Sequence, residues 1–177
     1  MAIKIRPESN EEYSRTEEVV KKAFLNEEMS DHQEHRLVQK LRNSEAFIPE
    51  LSLVAIGQHE NILGHLMLTT NKIINENDTV ESLSLAPVSV LPEYQYKGIG
   101  SQLIKEGIKR AKELGYKSII VLGHPEYYPK FGFQPASFWN IKAPYDVPDE
   151  VFMALELQTD ALENVQGIVQ YPKAFEE

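Results

Sequence analysis

A glycine-bearing junction, Pro92-Glu93-Tyr94-Gln95-Tyr96-Lys97-Gly98-Ile99-Gly100, constrains this chain more than any other segment. Ahead of it, residues 80–90 read as a strand, irregular at Pro87 because proline cannot donate a ladder hydrogen bond. Behind it, Leu103, Ile104, Ile108, Ala111 and Leu114 line one side of a helix that begins near Ser101 and is capped by Gly115. Glycines at such a junction let the backbone approach a ligand closely. The helix start adds N–H groups without partners and the positive end of its dipole, which together suit a phosphate or pyrophosphate. A tight strand-to-helix turn with no ligand would use the same glycines.

Two common nucleotide-binding patterns do not fit. A dinucleotide fingerprint needs a third glycine or alanine where Leu103 stands. It also needs an acidic residue closing the next strand, and Gly123-His124-Pro125 follows that strand instead. A phosphate loop of the Gly-Lys-Ser/Thr type fails as well, because Ser101-Gln102 follows Gly100.

The remaining periodicities predict an α/β domain with hairpins mixed into a βαβ core. Ile3 and Ile5 predict a short strand closed by Pro7. Ser9 with Glu12, and again Ser30 with Gln33, have capping-box spacing ahead of two helices, one carrying Tyr13, Val20, Ala23 and Phe24, the other Leu37, Val38 and Leu41. Residues 51–56 and 62–68 predict a hairpin across Gly57-Gln58-His59-Glu60-Asn61. Ser118–Leu122 reads as a buried strand, a short helix follows, and residues 151–157 alternate as a last strand. Gly107, inside the predicted long helix, costs about 1 kcal/mol against alanine unless close packing offsets it. Residues 1–160 are expected to form the domain, with 161–177 an ordered tail anchored by Tyr171 and Phe175.

Composition narrows the chemistry. With 177 residues the chain is long enough for one real core. Zero cysteines exclude disulfides, thiol catalysis and cysteine metal sites. A formal charge of −9 disfavours nucleic acid and anionic membrane surfaces as partners and favours approach of cations, amines among them. No apolar run reaches the length of a membrane span, and the start lacks the apolar core of a secretory signal, so a cytoplasmic protein is expected. His32 and His35 lack a third ligand, so no metal is expected.

Gln95-x-x-Gly98-x-Gly100, behind Val88-Ser89-Val90-Leu91-Pro92-Glu93, resembles the pyrophosphate motif of GNAT superfamily N-acetyltransferases. Tyr127-Tyr128-Pro129-Lys130-Phe131-Gly132-Phe133 resembles that family's second motif, in which a tyrosine precedes a Gly-Phe pair by four residues. The asparagine that many members carry before it is replaced by the stretch Gly123-His124-Pro125-Glu126. Leu51-Ser52-Leu53-Val54-Ala55, Gly64-His65, the Phe152-Met153 strand and Tyr171-Pro172-Lys173-Ala174-Phe175 look like the YhbS-like predicted acetyltransferase subgroup, so the likeness covers essentially the whole chain.

The resemblance implies a single-domain GNAT fold, with a mixed central sheet, a splayed parallel strand pair and helices on both faces. Acetyl-CoA would be the co-substrate. Backbone N–H groups of Tyr96, Lys97, Gly98, Ile99, Gly100 and Ser101, with Gln95 and the charge of Lys97, would cradle its pyrophosphate. Val88 and Val90 would pair with its pantetheine arm as an added strand. Tyr128 is the candidate general acid for the departing thiolate, a packing tyrosine being the alternative, and Tyr127 reads as core or rim. Glu34 is the candidate base, drawn from Glu28, Asp31, Glu34 and His35 between the first two helices, and a solvated helix carboxylate is its alternative. His65 could face the acceptor cleft or be a hydrogen-bonded structural residue. The acceptor would be a small-molecule or peptide amine, and dimerisation is common in the superfamily. A catalytically weak acyl-CoA sensor of the same fold stays open.

Overall fold

Strict alternation along the strands decides which side of the sheet each residue serves. The computed structural model describes residues 2–176. In chain order its elements are β1 (Lys4–Pro7), α1 (Tyr13–Phe24), α2 (Glu34–Arg42), β2 (Phe47–Ile56), β3 (Ile62–Ile74), β4 (Thr79–Val90), α3 (Ile99–Glu113), β5 (Ser118–Leu122), β6 (Gln134–Pro135), β7 (Ile141–Lys142), β8 (Phe152–Glu156) and β9 (Gly167–Gln170). The sheet runs β1-β2-β3-β4-β5-β8-β6, and β9 pairs with the end of β3 and with β7. Most neighbours are antiparallel, but β4 and β5 are parallel. Helices cover both faces, which matches the mixed-sheet architecture that the resemblance implies.

One face carries α3. Leu51 and Leu53 of β2, Leu66 and Leu68 of β3, and Leu83 and Leu85 of β4 meet Ile99, Leu103 and Ile104 there, all buried. Each such side chain contributes about 1.5–3 kcal/mol of burial. Gly107 has its packing reason, since a Cβ there would stand 3.1 Å from Leu66. The alternate residues point the other way, where Val19 packs on Val54 and Ile56 and Val20, Val38 and Leu41 pack on Met67. The tail reaches the same side, with Ala174 buried in that cluster and Phe175 against it.

Several boundaries differ from the sequence reading. Strand β2 starts at Phe47, four residues early, across a register shift between Phe47 and Ser52. β3 continues to Ile74, paired with β4 throughout and flanked on its other edge by β9 at Lys72, Ile73 and Ile74. The helix expected after β5 is a 3-10 turn, Tyr128–Phe131. Ser30 and Gln33 form no capping box. The Ser30 hydroxyl bonds the Glu34 carboxylate instead, at 2.5 Å, and α2 starts at Glu34. At α1 the Glu12 carboxylate does accept the Ser9 N–H at 2.8 Å, though a 3-10 turn precedes the helix.

A buried charge network fastens the two helices to the sheet. Arg42, at the end of α2, donates from Nε and Nη2 to Glu8 at 3.1 and 2.9 Å and from Nη1 to Glu17 of α1 at 2.6 Å. Its side chain is 4% exposed and that of Glu8 is 1% exposed. The guanidinium also lies 3.9 Å above the Tyr13 ring. Removing one partner of such a pair strands the other charge in the interior. Arg42→Ala should therefore lower unfolding free energy by about 3–5 kcal/mol in urea denaturation, far more than an exposed Arg→Ala change.

Candidate active site

Strands β4 and β5 touch only briefly. Their pairing consists of Leu83 with Ile119 and Ser84 with Ile120. Beyond Ser84, β4 continues for six residues to Val90. A register shift against β3 lies in that stretch: Leu66 faces Val88 while Leu68 faces Leu85, so β4 carries one extra residue around Ala86 and Pro87. Proline offers no N–H at that point. The result is a slot between the parallel strands, with the backbone of Leu85 to Val90 on its β4 side.

The glycine junction sits at the open end of this slot. Gln95 is folded back, its Nε2 donating to Val90 O at 3.1 Å. Tyr96 is fully exposed with φ +65°, a left-handed conformation that costs an aromatic residue about 1 kcal/mol or more. Lys97 Nζ is 5.6 Å from the Tyr94 ring. Gly98 caps α3 with φ +85°, which glycine adopts without strain. The first bond of the helix runs from Gln102 N–H to Gly98 O, so the N–H groups of Ile99, Gly100 and Ser101 precede it. Ile99 itself is buried and anchors the turn in the core.

The second motif closes over this helix start. Tyr127, read from sequence as core or rim, hydrogen-bonds Ser101 Oγ through its hydroxyl at 3.1 Å. A Cβ on Gly100 would make only ordinary contacts, 3.5 Å from the same hydroxyl and 3.8 Å from Val90. Lys130 Nζ lies 4.1 Å over the Tyr127 ring and adds a cation beside the junction. Tyr127 packs edge-on to Tyr128, with ring centroids 5.2 Å apart. Tyr128 also stands edge-on to Phe133 and lies against Gly123, where any Cβ would collide with its ring. Burial, with a smaller contribution from Tyr127, pushes the Tyr128 hydroxyl up to about 12, so it keeps its proton at neutral pH.

Glu34 stands apart from this cluster. It occupies the inward stripe of α2 with Leu37, Val38 and Leu41, on the face opposite α3. It is no freely solvated carboxylate: Oε2 accepts from Ser30, and Oε1 is buried without a protein partner. Asp31 is used locally, accepting the Gln33 N–H at 2.8 Å, and Glu28 is exposed. His32 is exposed, with Nδ1 3.0 Å from Phe24 O. Among the described residues no group of three His, Asp or Glu side chains is placed to hold a metal ion. Nor does any helix reach the length and apolarity needed to cross a membrane.

His65 takes the structural alternative. It is fully buried, with Nε2 2.9 Å from Ser52 Oγ, and that serine donates to Glu8 Oε1 at 2.6 Å. A carboxylate beside Arg42 can only accept, so Ser52 must donate to it and His65 Nε2 must donate to Ser52. Burial, then the nearby Arg42 charge, lowers the His65 pKa to about 3.

A sheet that opens between two parallel strands, beside a glycine-led helix start, is the architecture shared by GNAT acetyltransferases, and the acetyltransferase (GNAT) family profile matches residues 11–133. The chain belongs to this family. Among curated relatives it is 29% identical to YhbS of Escherichia coli K12, an uncharacterized N-acetyltransferase, over 86% of this chain and 89% of YhbS. It is 39% identical to YjhQ of the same strain, also an uncharacterized N-acetyltransferase, over 64% of this chain, but spans only 63% of YjhQ. Among solved structures, E. coli YhbS in complex with CoA superposes with a TM-score of 0.88 at 24% identity, over 99% of this chain and 92% of that one. A GNAT acetyltransferase from Brucella melitensis in complex with acetyl-CoA gives 0.80 at 30% identity, over 98% of each chain.

The buried histidine has a measurable consequence. An unfolded chain protonates His65 below its ordinary 6.5, whereas the folded protein resists until about 3. Its contribution to stability is therefore complete above pH 6.5 and is lost as pH falls from 6.5 towards 3. Urea unfolding across that window should show a slope steeper by up to about 1.4 kcal/mol per pH unit in the wild type than in His65→Gln.

Proposed function

We propose that this GNAT acetyltransferase takes its acetyl group from acetyl-CoA and passes it directly to a primary amine of a small molecule or peptide. The observation that carries the reading is the slot between β4 and β5, unpaired beyond Ser84 and Ile120 and ending at the start of α3. A thiol ester carried on a pantetheine arm fits it. The N–H groups of Ile99, Gly100 and Ser101, with Gln95, Tyr96, Lys97 and Gly98 of the same turn, would hold the pyrophosphate. The free edge of β4 at Val88 and Val90 would hold the arm as a neighbouring strand does. CoA in YhbS and acetyl-CoA in the Brucella protein support this donor. The unit so defined is residues 1–160, with 161–177 as a tail of the same domain, supported by the burial of Ala174 under α2.

The chemistry needs three proton movements and no covalent enzyme intermediate. One proton leaves the ammonium before attack, Tyr128 protonates the thiolate, and the second nitrogen proton, lost once the N–C bond has formed, restores the Tyr128 hydroxyl. As the amine nitrogen bonds to the carbonyl carbon and the carbon–sulfur bond breaks, the departing thiolate takes a proton from Tyr128. The raised pKa means that this proton is present over the whole working range. The ammonium proton leaves to Glu34, whose Oε1 has no protein partner. Tyr128 packs in the α3-side core and Glu34 lies on the opposite face, so on this reading acid and base would act from opposite sides of the sheet.

Tyr128→Phe should lower kcat by about 100-fold while calorimetry finds its affinity for acetyl-CoA within about twofold of wild type. Equal turnover in the two proteins would overturn the acid assignment, and binding without turnover in the wild type would favour a sensor.

A further inference from the structure

On the α1–α2 side of the sheet, two apolar clusters are separated by a band of polar residues. One cluster holds Met67 with Val38, Leu41 and Ala174. The other holds Ile73 and Ile120 with Phe152 and Val169. Between Met67 and Ile73, the residues of β3 that share their face are Thr69 and Asn71, 0% and 3% exposed. Ser84 faces Thr69 across the β3–β4 pair. Asn71 Nδ2 donates to Ser84 Oγ at 2.6 Å, which leaves Asn71 Oδ1 without a partner, and Thr69 Oγ1 has none either. Unpaired buried groups of this kind cost about 1–3 kcal/mol each, so a band of them in a core calls for a counterpart.

The place of the band is informative. Ser84 is the last β4 residue paired with β5, directly before the slot opens. The band therefore lies at the closed end of the slot, on the face where Glu34 also lies. Its flank is aromatic: Gln170 of β9 pairs with Lys72, which brings Tyr171 level with Asn71. Tyr171 stacks on Tyr145 with centroids 6.4 Å apart and meets Phe175 at 5.3 Å.

The unfilled atoms also have a common sense. Asn71 Oδ1 can only accept a hydrogen bond, as can Glu34 Oε1 in its ionised form, and Thr69 Oγ1 is free to accept. A counterpart must bring hydrogen-bond donors. We infer that Thr69 and Asn71 form the acceptor-recognising floor of the site and that the acceptor is a small cationic primary amine, its ammonium donating to Asn71 and its body lying against the tyrosine flank. An ammonium has three donors and no acceptor, and it gains further from aromatic faces. The net charge of −9 favours its approach. This inference rests on the transferase reading and adds the residues and the charge class to it.

The test separates the two. CoA is first titrated into 15N-labelled wild-type protein by calorimetry, and no binding would sink the transferase reading together with this one. With CoA bound, butylamine or putrescine should shift the Asn71 side-chain amide resonances saturably, and the neutral butanol should not. No shift with either amine, or an equal shift with butanol, overturns the inference while leaving acetyl-CoA chemistry intact. In kinetics, Thr69→Val and Asn71→Leu should each raise the KM for the amine about tenfold or more, with acetyl-CoA affinity held within about twofold. Unchanged amine KM in the isosteric Thr69→Val variant would remove Thr69 from the floor even if Asn71→Leu fails to fold.

Discussion

From Leu85 onward strand β4 has one neighbour instead of two, and the rest of the site is arranged around that loss. A central strand with an unpaired edge is costly unless something supplies the missing partners, because backbone N–H and C=O groups need bonds. Here the loss follows from local chemistry. Pro87 has no N–H, and the extra residue beside it bends β4 relative to β3. Strand β5 meanwhile is held on its far side by β8 along its whole length, from Ser118 to Leu122. With β5 fixed there and β4 fixed to β3, the two can diverge without unravelling either half of the sheet.

Rigid anchoring of the remaining parts then becomes necessary. The helix start must stay at the mouth of the slot, and buried Ile99 together with the Tyr127–Ser101 bond keeps it there. The α1–α2 hairpin must stay on its face, and hydrophobic contact alone would let it slide. Arg42 bonds to Glu8 and Glu17, and Glu8 bonds in turn to Ser52 and through it to His65. Every donor and acceptor role in that chain is set by the guanidinium at its end, so the hairpin has one register rather than several. Polar groups inside this fold thus serve two opposite ends. Those from Arg42 to Ser52 are paired and hold geometry, whereas Thr69 Oγ1 and Asn71 Oδ1 in the band have no protein partner.

Much of this was legible in the residues. The apolar runs 51–56 and 62–68 marked a hairpin, and the Gln95-x-x-Gly98-x-Gly100 spacing marked the helix start. The irregularity at Pro87 was visible, though not its consequence, because strand separation depends on which neighbour holds β5. Strands β6, β7 and β9 were missed: two to four residues carry no periodicity, and pairing partners far along the chain define them. Ser30 was misread as a cap because its hydroxyl donates to the Glu34 carboxylate and accepts the His32 N–H, while the Gln33 N–H goes to Asp31. Tyr127 looked like packing because its bond to Ser101 spans 26 residues. His65 could be read two ways until Glu8, far off in sequence, fixed its tautomer.

The two ends of the slot have opposite hydrogen-bonding character, and that asymmetry ties the donor to the acceptor. At the mouth there is a surplus of donors, the N–H groups of Ile99, Gly100 and Ser101 with Lys97 and Lys130 nearby, and only an anion answers it. At the closed end Asn71 Oδ1 and Thr69 Oγ1 lack partners, as does Glu34 Oε1 on the same face, and on the inference above a donor-rich group would answer them. A molecule that presented phosphates at one end and an ammonium at the other would satisfy neither a symmetric pocket nor a plain apolar one. The sheet separates the two demands by a strand's length and opens between them, so that on the proposed reading an activated acyl group along β4 would lie between an anion site and an amine site. The polarity that selects the amine also lowers the energy of its cation. Some group must therefore take its proton before attack, which is why a carboxylate oxygen left unpartnered on that same face has a reason to be there.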